Sequence, residues 1–355
     1  MSSKVESQLK FVFERLGYHP ARRAMNCQFG RSFPKEKKEM FADIELLAKS
    51  DKKHADFIDS CGKSCIHLGT RHLELFDVKD PIRKKALNKF FSGLNRTTNT
   101  VLSSSYPFPI TDQTVLASIK KNEIHIMDSS SITVDNSNYR FVVFSTVIEN
   151  EVEEDGSKYL NKNGQALVKN NQAHFYYVTS EYRQLFHVLY WDEQKDTAIL
   201  SIDKNLLSVQ KSRDQLFLTR TYVEQRSMGA LGNPLNVFDA IEPLYKEVDG
   251  RIIRLGHVTS DGNPVRLKLT RGQTCLKQDK YHGAGETGGH VHAKFSVGKS
   301  WSFGVADQRS VIELDLAGKA AMLDTAQPLS DFEVAKCSCM KDLNFAIKKV
   351  RPYAS

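Results

Sequence analysis

Apolar residues in the first quarter of the chain recur at a helical spacing. Between residues 5 and 16 they return every three or four positions, which predicts an amphipathic helix. Gly17 and Pro20 follow and are expected to end that helix. The same spacing predicts a second helix over residues 36–49 and a third that begins near Lys52.

Residues 81–94 give the clearest helical pattern in the chain. Asp80 can cap this helix, and Pro81 occupies the first helical position, where its missing N–H costs nothing. One half of the helical wheel is apolar and consists of Ile82, Ala86, Leu87, Phe90, Phe91 and Leu94. The other half carries lysines, so the helix is expected to pack on a core and to present a basic face.

Beyond residue 97 the pattern changes from helices to strands. Runs rich in β-branched and aromatic residues predict strands at residues 123–127, 139–147, 174–179, 197–202, 215–223, 252–258, 265–269, 291–297 and 311–316. Residues 184–191 fit a helix or a strand, and a hairpin with the next strand is favoured. Asn163-Gly164 has the sequence of a two-residue hairpin turn. A short helix is predicted after residue 236, and a final helix over residues 333–350.

Short strands joined by tight turns argue for an antiparallel sheet or a partial barrel. The predicted fold class is therefore α+β, with a helical N-terminal module followed by a mostly antiparallel, β-rich region. A chain of 355 residues suggests two or three domains. The predicted division is a basic helical module at residues 1–97, a linker at 98–110, a β-rich domain at 111–226, and a β-rich domain with a short helix and a C-terminal helix at 227–355.

The positive charge is concentrated at the start of the chain. Residues 1–96 contain 20 Lys and Arg against 12 Asp and Glu, a surplus that equals the net charge of +8 of the whole chain. A local surplus of this kind attracts polyanions, and nucleic acid first among them. Contacts to DNA or RNA phosphates are therefore expected from Arg22, Arg23, Lys37, Lys38, Lys84, Lys85 and Lys89. A lysine-rich surface that serves solubility alone is the alternative.

A glycine-rich stretch at residues 281–304 is the main candidate for a site. It contains the pattern G-x-G-x-x-G, but a strand is predicted after it, whereas a dinucleotide site needs a helix there. The spacing also departs from kinase and P-loop motifs. Glycine-rich backbone can still direct several N–H groups at one anion. The anion-binding candidates are Gly283, Gly285, Gly288, Gly289 and Lys294. A hairpin tip without a ligand is the alternative.

Histidines in the same stretch suggest a second kind of site. His290 and His292 alternate along a predicted strand, so their side chains share a face and their Cα atoms lie about 6.6 Å apart. Together with Glu286 they are candidate catalytic residues for proton transfer. Together with His282 they are candidate ligands of a divalent metal. Simple exposure or packing of the two rings is the alternative interpretation.

Composition indicates the compartment. The six cysteines are sparse for this length, which fits a reducing cytosol. The group Cys61, Cys65, His67 and His72 lacks a standard zinc spacing, and structural burial is expected. No apolar run approaches the roughly 20 residues of a membrane helix, and the charged N-terminus lacks the apolar segment of a signal peptide. We expect a cytoplasmic protein without membrane insertion.

Three classes of function stay open from the sequence. The first is a cytosolic nucleic-acid-associated protein that binds the phosphate backbone of DNA or RNA. The second is a metal-dependent hydrolase or nuclease that uses the histidine-containing glycine loop, with a divalent metal as the cofactor. The third is a non-catalytic interaction or assembly subunit that binds a protein partner or forms a homo-oligomer. Whether the protein is an enzyme is not decided by these residues.

Overall fold

A computed structural model describes residues 4–170, 174–205, 207–270, 272–303 and 310–355, apart from the side chain of residue 158. Within these ranges the strands form one antiparallel sheet in the order β2-β3-β4-β5-β1-β10-β9-β8-β6-β7. The strands are β1 (Gly69–Asp77), β2 (His125–Val134), β3 (Ser137–Asp155), β4 (Tyr176–Asp192), β5 (Thr197–Asp203), β6 (Arg251–Thr259), β7 (Pro264–Lys268), β8 (Val291–Phe303), β9 (Ser310–Leu316) and β10 (Phe332–Cys337).

Helices precede, interrupt and follow the sheet. They are α1 (Lys4–Leu16), α2 (Tyr18–Phe29), α3 (Lys37–Ser50), α4 (Lys52–Cys65), α5 (Pro81–Ser92), α6 (Thr100–Ser105), α7 (Gln113–Ser118), α8 (Lys162–Lys169), α9 (Val209–Ser227), α10 (Ile241–Lys246), α11 (Lys280–Thr287) and α12 (Met340–Val350). The α+β fold class is confirmed: an N-terminal helical region leads into a large antiparallel sheet, and a helix ends the chain. None of the described helices is long and apolar enough to cross a membrane.

The two faces of the sheet carry different helices. Successive side chains of a strand point to opposite faces, so neighbouring residues of β1 belong to two cores. Leu75 is buried in the cluster that contains residues of α1 to α4, such as Val12. Phe76 is buried in the cluster that contains residues of α5 and α9, such as Phe91 and Val223. Helices α1–α4 and helices α5 and α9 therefore lie on opposite sides of the sheet.

Helix α5 forms as the sequence predicts. The Asp80 side chain accepts a hydrogen bond from the N–H of Ile82, and Pro81 occupies the first turn. The helix buries Leu87 and Phe91, which leaves its lysine-bearing side away from the core. Capping and amphipathic spacing point to the same element here, which is why the sequence predicted it correctly.

Strand β1 lies at the centre of the sheet and was not predicted. It pairs with β5 on one side and with β10 on the other. The segment predicted as a basic helical module, residues 1–97, therefore contributes a central strand as well as helices. Charged side chains hid this strand: Arg71, His72 and Glu74 are all buried within it. The division into domains stays a prediction, although all three predicted structured segments supply strands to the same sheet.

Residues 215–223, predicted as a strand, form part of helix α9. The buried side of this helix is largely polar and includes Ser212, Gln215 and Thr219. Ser212 and Gln215 bond across to other elements: Ser212 Oγ lies 2.9 Å from His72 Nδ1, and Gln215 Oε1 lies 3.3 Å from His187 Nε2. Because the buried side is polar, the helix has no apolar stripe, and the strand prediction was wrong.

Two further predictions of local structure were wrong. The segment at residues 333–350 is strand β10 followed by helix α12, because the Asp342 carboxylate accepts the N–H groups of Ser338 and Cys339 and starts a new helix. The Asn163-Gly164 pair lies inside helix α8 and not in a hairpin turn. The Asn161 side chain caps α8 by accepting the N–H of Gly164. Strands β3 and β4 do pair, but the connection between them is long.

Candidate functional site

The glycine-rich stretch begins as a helix and not as a loop. The Asp279 side chain accepts the N–H of His282 at 3.0 Å and caps α11. Gly289, with a φ of 71°, then turns the chain towards β8. The predicted loop was therefore wrong, whereas the strand that follows it was predicted correctly. The last residue of the stretch, Gly304, lies outside the described residues.

Backbone donors of this stretch are used inside it. The N–H groups of Gly283, Gly288 and Gly289 donate to the carbonyls of Asp279, Ala284 and Glu286, respectively. The N–H of His290 donates to the carbonyl of Gly285 at 2.8 Å. An anion at these glycines would have to compete with bonds that are already made. The residue types suited to anion binding are present, but their donors do not converge on an open position.

Two of the predicted residues, His282 and Glu286, meet around Tyr245. The Tyr245 hydroxyl lies 2.8 Å from His282 Nε2 and donates to Glu286 Oε1 at 2.6 Å. A phenol has a single hydrogen, so His282 Nε2 must carry its own hydrogen and donate it to the Tyr245 oxygen. Together with His257 and Lys294, these residues form what we call the Tyr245 centre.

The Tyr245 centre places two buried imidazole rings, those of His257 and His282, beside the ion pair of Lys294 and Glu286. Burial lowers the pKa of His282 and of His257, which favours the neutral form of both imidazoles. Burial and the hydrogen bond to Glu286 raise the pKa of Tyr245. Lys294 Nζ lies 3.7 Å from Glu286 Oε1 and 4.2 Å from the centre of the Tyr245 ring. A neutral imidazole, a hydroxyl and a carboxylate thus form one hydrogen-bonded chain that could carry a proton.

His290 and His292 do not join this centre to form a metal site. Both side chains are exposed, and His290 precedes the first residue of β8. Among the residues that the structure describes, no three His, Cys, Asp or Glu side chains are grouped to hold a metal ion. The structure brings His282 and Glu286 together and leaves the other two histidines at the surface.

Sequence reasoning missed Tyr245 and His257. Tyr245 lies on an apolar stripe with Ile241 and Leu244 in the predicted short helix, and it therefore resembled a core residue. His257 lies in β6, which pairs with β8 so that His257 opposes Lys294. Only the pairing of these two strands places His257 beside His282, with 5.9 Å between the ring centres. No short-range pattern in the sequence contains that information.

A second polar group has the serine–histidine–aspartate contacts of a catalytic triad. It consists of Ser212, His72 and Asp331. Ser212 Oγ lies 2.9 Å from His72 Nδ1, and His72 Nε2 lies 3.3 Å from Asp331 Oδ1. A nucleophilic serine must give its hydrogen to the histidine. Here the Ser212 hydroxyl donates to the carbonyl of Val209 at 2.8 Å, and Ser212 is fully buried. The arrangement therefore fixes α9 to the sheet and is not a nucleophile site.

The seven predicted phosphate contacts fall into two groups on opposite faces of the sheet. Arg22 and Arg23 lie in α2, not in a connection as predicted, and Lys37 and Lys38 begin α3. Lys84, Lys85 and Lys89 lie in α5 on the other side. Some are already engaged: Arg22 donates to the carbonyl of Phe33, and Lys84 pairs with Asp196. The seven residues do not form one continuous surface.

The second group extends onto the end of α9. Lys85 and Lys89 are exposed, and Arg226 in α9 is exposed beside the Tyr222 ring. Over the described part of the chain, none of these three cations has a carboxylate within ion-pair distance. Lys89, Arg226 and the 80%-exposed Met228 line a cleft of 330 Å³ between the two helix ends. We call this surface, defined by Lys85, Lys89, Arg226 and Met228, the α5–α9 face.

Comparison with known proteins adds no assignment. No protein-family model matches the chain, and no curated protein is significantly similar to it.

Proposed function

We propose that the protein binds the phosphate backbone of nucleic acid through the α5–α9 face. The observation that supports this proposal is that Lys85, Lys89 and Arg226 are exposed on two adjacent helices and have no ion-pair partner within the described ranges. Cations that are not paired within the protein keep their full attraction for phosphates. The apolar Met228 beside them offers a contact for bases or sugars.

The packing of α5 favours the α5–α9 face over the other group of basic residues as the phosphate-binding surface. The residues that α5 buries in the core are Leu87, Phe90 and Phe91, so Lys85 and Lys89 have no part in packing. On the opposite face, Lys37 and Lys38 line a groove that also contains Glu6, Glu14 and Glu45. Nearby carboxylates repel phosphates and weaken any attraction from those lysines. The α5–α9 face is therefore the better phosphate-binding surface.

Salt dependence measures the number of phosphate contacts. Each contact to a single strand contributes about −0.7 to the slope of log K against log salt concentration. Three cations should therefore contribute a slope of about −2. Replacing Lys85, Lys89 and Arg226 by alanine together should remove that contribution and weaken binding at least about tenfold at low salt.

Fluorescence anisotropy with a labelled single-stranded oligonucleotide tests this expectation between about 50 and 300 mM salt. The matched control is the double variant Lys37→Ala and Lys38→Ala, which removes two lysines from the other face. It should leave the slope nearly unchanged. A triple alanine variant that binds with the parental slope would show that phosphates do not contact the α5–α9 face.

A second candidate function is acid–base catalysis at the Tyr245 centre. The observation that favours it is a hydroxyl that joins a neutral imidazole to a carboxylate beside a nearly buried lysine. Perturbed groups in such chains are enriched at active sites. We infer metal-free hydrolysis of an ester bond, in which the centre takes a proton from the attacking water and returns one to the leaving oxygen, with phosphodiesters as the first substrates to try.

Cleavage of a labelled oligonucleotide in the presence of a chelator tests this second function. Loss of a positioned acid or base costs about 10²- to 10⁴-fold in rate, so His282→Gln should reduce cleavage by at least about a hundredfold. His292→Gln, on the exposed part of β8, is the matched control and should cleave normally. Absence of cleavage by the parental protein would count against catalysis at this centre.

A further inference from the structure

Strands β3 and β4 continue beyond the rest of the sheet as a two-stranded ribbon. β2 pairs with β3 only as far as Ser145, and β5 pairs with β4 only from Val188 onward. The Gln113 side chain covers the outer edge of β4 at Tyr182, where it exchanges hydrogen bonds of 2.7 and 3.0 Å with the backbone. Beyond that point, residues 151–155 and 176–180 pair only with each other among the described strands. We call these two segments the arm.

The arm exposes apolar side chains that a sheet normally covers. Tyr176 is 56% exposed and Val178 is 59% exposed. Directly paired residues share a face of a ribbon, and the register pairs Glu153 with Val178 and Asp155 with Tyr176. One face of the arm therefore carries an apolar row beside an acidic row. An isolated two-stranded ribbon is only marginally stable in water, so a partner that covers this face would stabilise it.

The acidic row determines what kind of partner fits. Glu151 and Glu153 lie about 6.8 Å apart along one strand. No lysine, arginine or histidine lies within ion-pair distance of either carboxylate among the described residues. Like charges on neighbouring positions of one face repel each other. A surface that combines cations with exposed apolar side chains would relieve this repulsion and cover Tyr176 and Val178 at once.

The α5–α9 face has that combination. Its cations are Lys85, Lys89 and Arg226, and its exposed Met228 is joined by Ile82 of α5, which is 78% exposed. We propose that the arm of one copy of this chain binds the α5–α9 face of a second copy. Reciprocal exchange of two arms would give a closed, symmetric pair with two identical interfaces.

The arm cannot reach this face within its own chain. Lys211, at the start of α9, contacts the Asn150 side chain at the base of the arm, with 2.7 Å between Nζ and Oδ1. Arg226 lies fifteen residues further along α9, about 22 Å away along the helix axis. Arg226 lies beside Ile126 of β2, and Ile126 pairs with Phe144 of β3. Phe144 precedes the start of the arm by seven residues along β3, so Arg226 lies far from the arm along the strand direction. The contact must therefore form between two molecules.

Size-exclusion chromatography with light scattering tests the proposal on the full-length protein. At about 50 mM salt the mass should exceed that of a monomer, and at about 500 mM salt it should fall to the monomer value, because exposed charges are screened. A protein that stays monomeric at about 100 μM in low salt would overturn the proposal. So would an oligomer whose mass does not respond to salt.

A charge-swap experiment identifies the two surfaces. The arm variant E151K/E153K and the face variant K85E/K89E each place like charges in contact, and each should weaken self-association at least about a hundredfold. In an equimolar mixture both interfaces again join opposite charges, so the mixed pair should re-form. Circular dichroism checks that each variant is folded. An arm variant that associates normally, or a mixture that does not re-associate, would overturn the proposal.

The proposal extends beyond nucleic-acid binding and can fail separately from it. The arm variant should lose self-association and keep its affinity for the oligonucleotide. The face variant should lose both. If the face variant loses oligonucleotide binding while self-association is unaffected by either change, phosphate binding stands and the arm contact is wrong.

Discussion

Replacing Asp203 by asparagine should reveal how strongly one buried carboxylate holds the helical layer to the sheet. Asp203 in β5 is fully buried and forms a two-point contact with Arg15 of α1, including 2.6 Å between Nη1 and Oδ1. Arg71 is also fully buried but donates to Ser201 and to backbone carbonyls, not to a carboxylate. Asp203 is therefore the anion that balances two buried guanidinium groups.

The expected loss of stability in Asp203→Asn arises because the buried Arg15 guanidinium is left without an anion. Removing one partner of a buried ion pair typically costs about 3–5 kcal/mol. Asparagine keeps the size of aspartate and one oxygen acceptor, so Asp203→Asn should lie near the lower end, at about 3 kcal/mol. Natural proteins are stable by about 5–15 kcal/mol, so the variant should still fold.

Urea unfolding followed by circular dichroism gives the free energy of unfolding of each protein. The matched control is Asp43→Asn, whose partner Arg31 lies 3.2 Å away with both side chains substantially exposed. That change should cost less than about 1 kcal/mol, because exposed ion pairs contribute little. If Asp203→Asn also cost less than about 1 kcal/mol, the idea that Asp203 balances the buried arginines would be refuted.

Three other substitutions test other parts of the molecule. Burial raises the pKa of Asp331, but hydrogen bonds from His72 and Arg213 outweigh this and bring the pKa to about 2. The folded value lies below the unfolded value of about 3.9, so this group stabilises the fold fully above about pH 4. About 2 kcal/mol should be lost as the pH falls to 2, and urea unfolding of Asp331→Asn should lack that loss. At Gly283 an added Cβ meets no atom within 4 Å, so Gly283→Ala should raise the free energy of unfolding by about 0.5–1 kcal/mol. Gly318→Ala should lower it by more than about 1 kcal/mol, because its Cβ would collide with the backbone of a neighbouring strand.

Elements with a single apolar side were predictable. Helices α1, α3 and α5 each bury one face on the core, so their apolar residues return at helical spacing. The outer strands β6 to β9 were also found, because β-branched runs between turns mark strands in most settings. In these places local preference and burial specify the same structure.

Elements with buried polar side chains were not predictable. β1 buries Arg71 and Glu74, and α9 buries Ser212 and Gln215. Their partners are distant in the chain: Glu74 binds Arg220, 146 residues away. A polar residue can be buried at low cost only when such a partner is present. Sequence patterns report polarity and not partners, so these elements resembled loops or the wrong secondary structure.

The same limit applied to the candidate sites. His282 and Glu286 were identified because they are close in sequence, but Tyr245 joins them from 37 and 41 residues away. The basic excess in residues 1–96 was visible from composition, whereas its division between two faces of the sheet was not. That division follows from β1, because its alternating side chains pack against helices α1–α4 on one face of the sheet and against α5 on the other.

Because the basic residues lie on opposite faces, one straight segment of nucleic acid cannot contact both groups. The α5–α9 face combines unpaired cations with exposed apolar side chains, and these are also the groups that the acidic, apolar arm would need. Lys85 and Lys89 cannot pair with phosphates and with Glu151 and Glu153 of a second copy simultaneously. Binding of the two partners must then be mutually exclusive: each lowers the affinity for the other by the same factor. Self-association would act as a competitor of nucleic acid, set by protein concentration and weakened by the same salt that weakens phosphate binding.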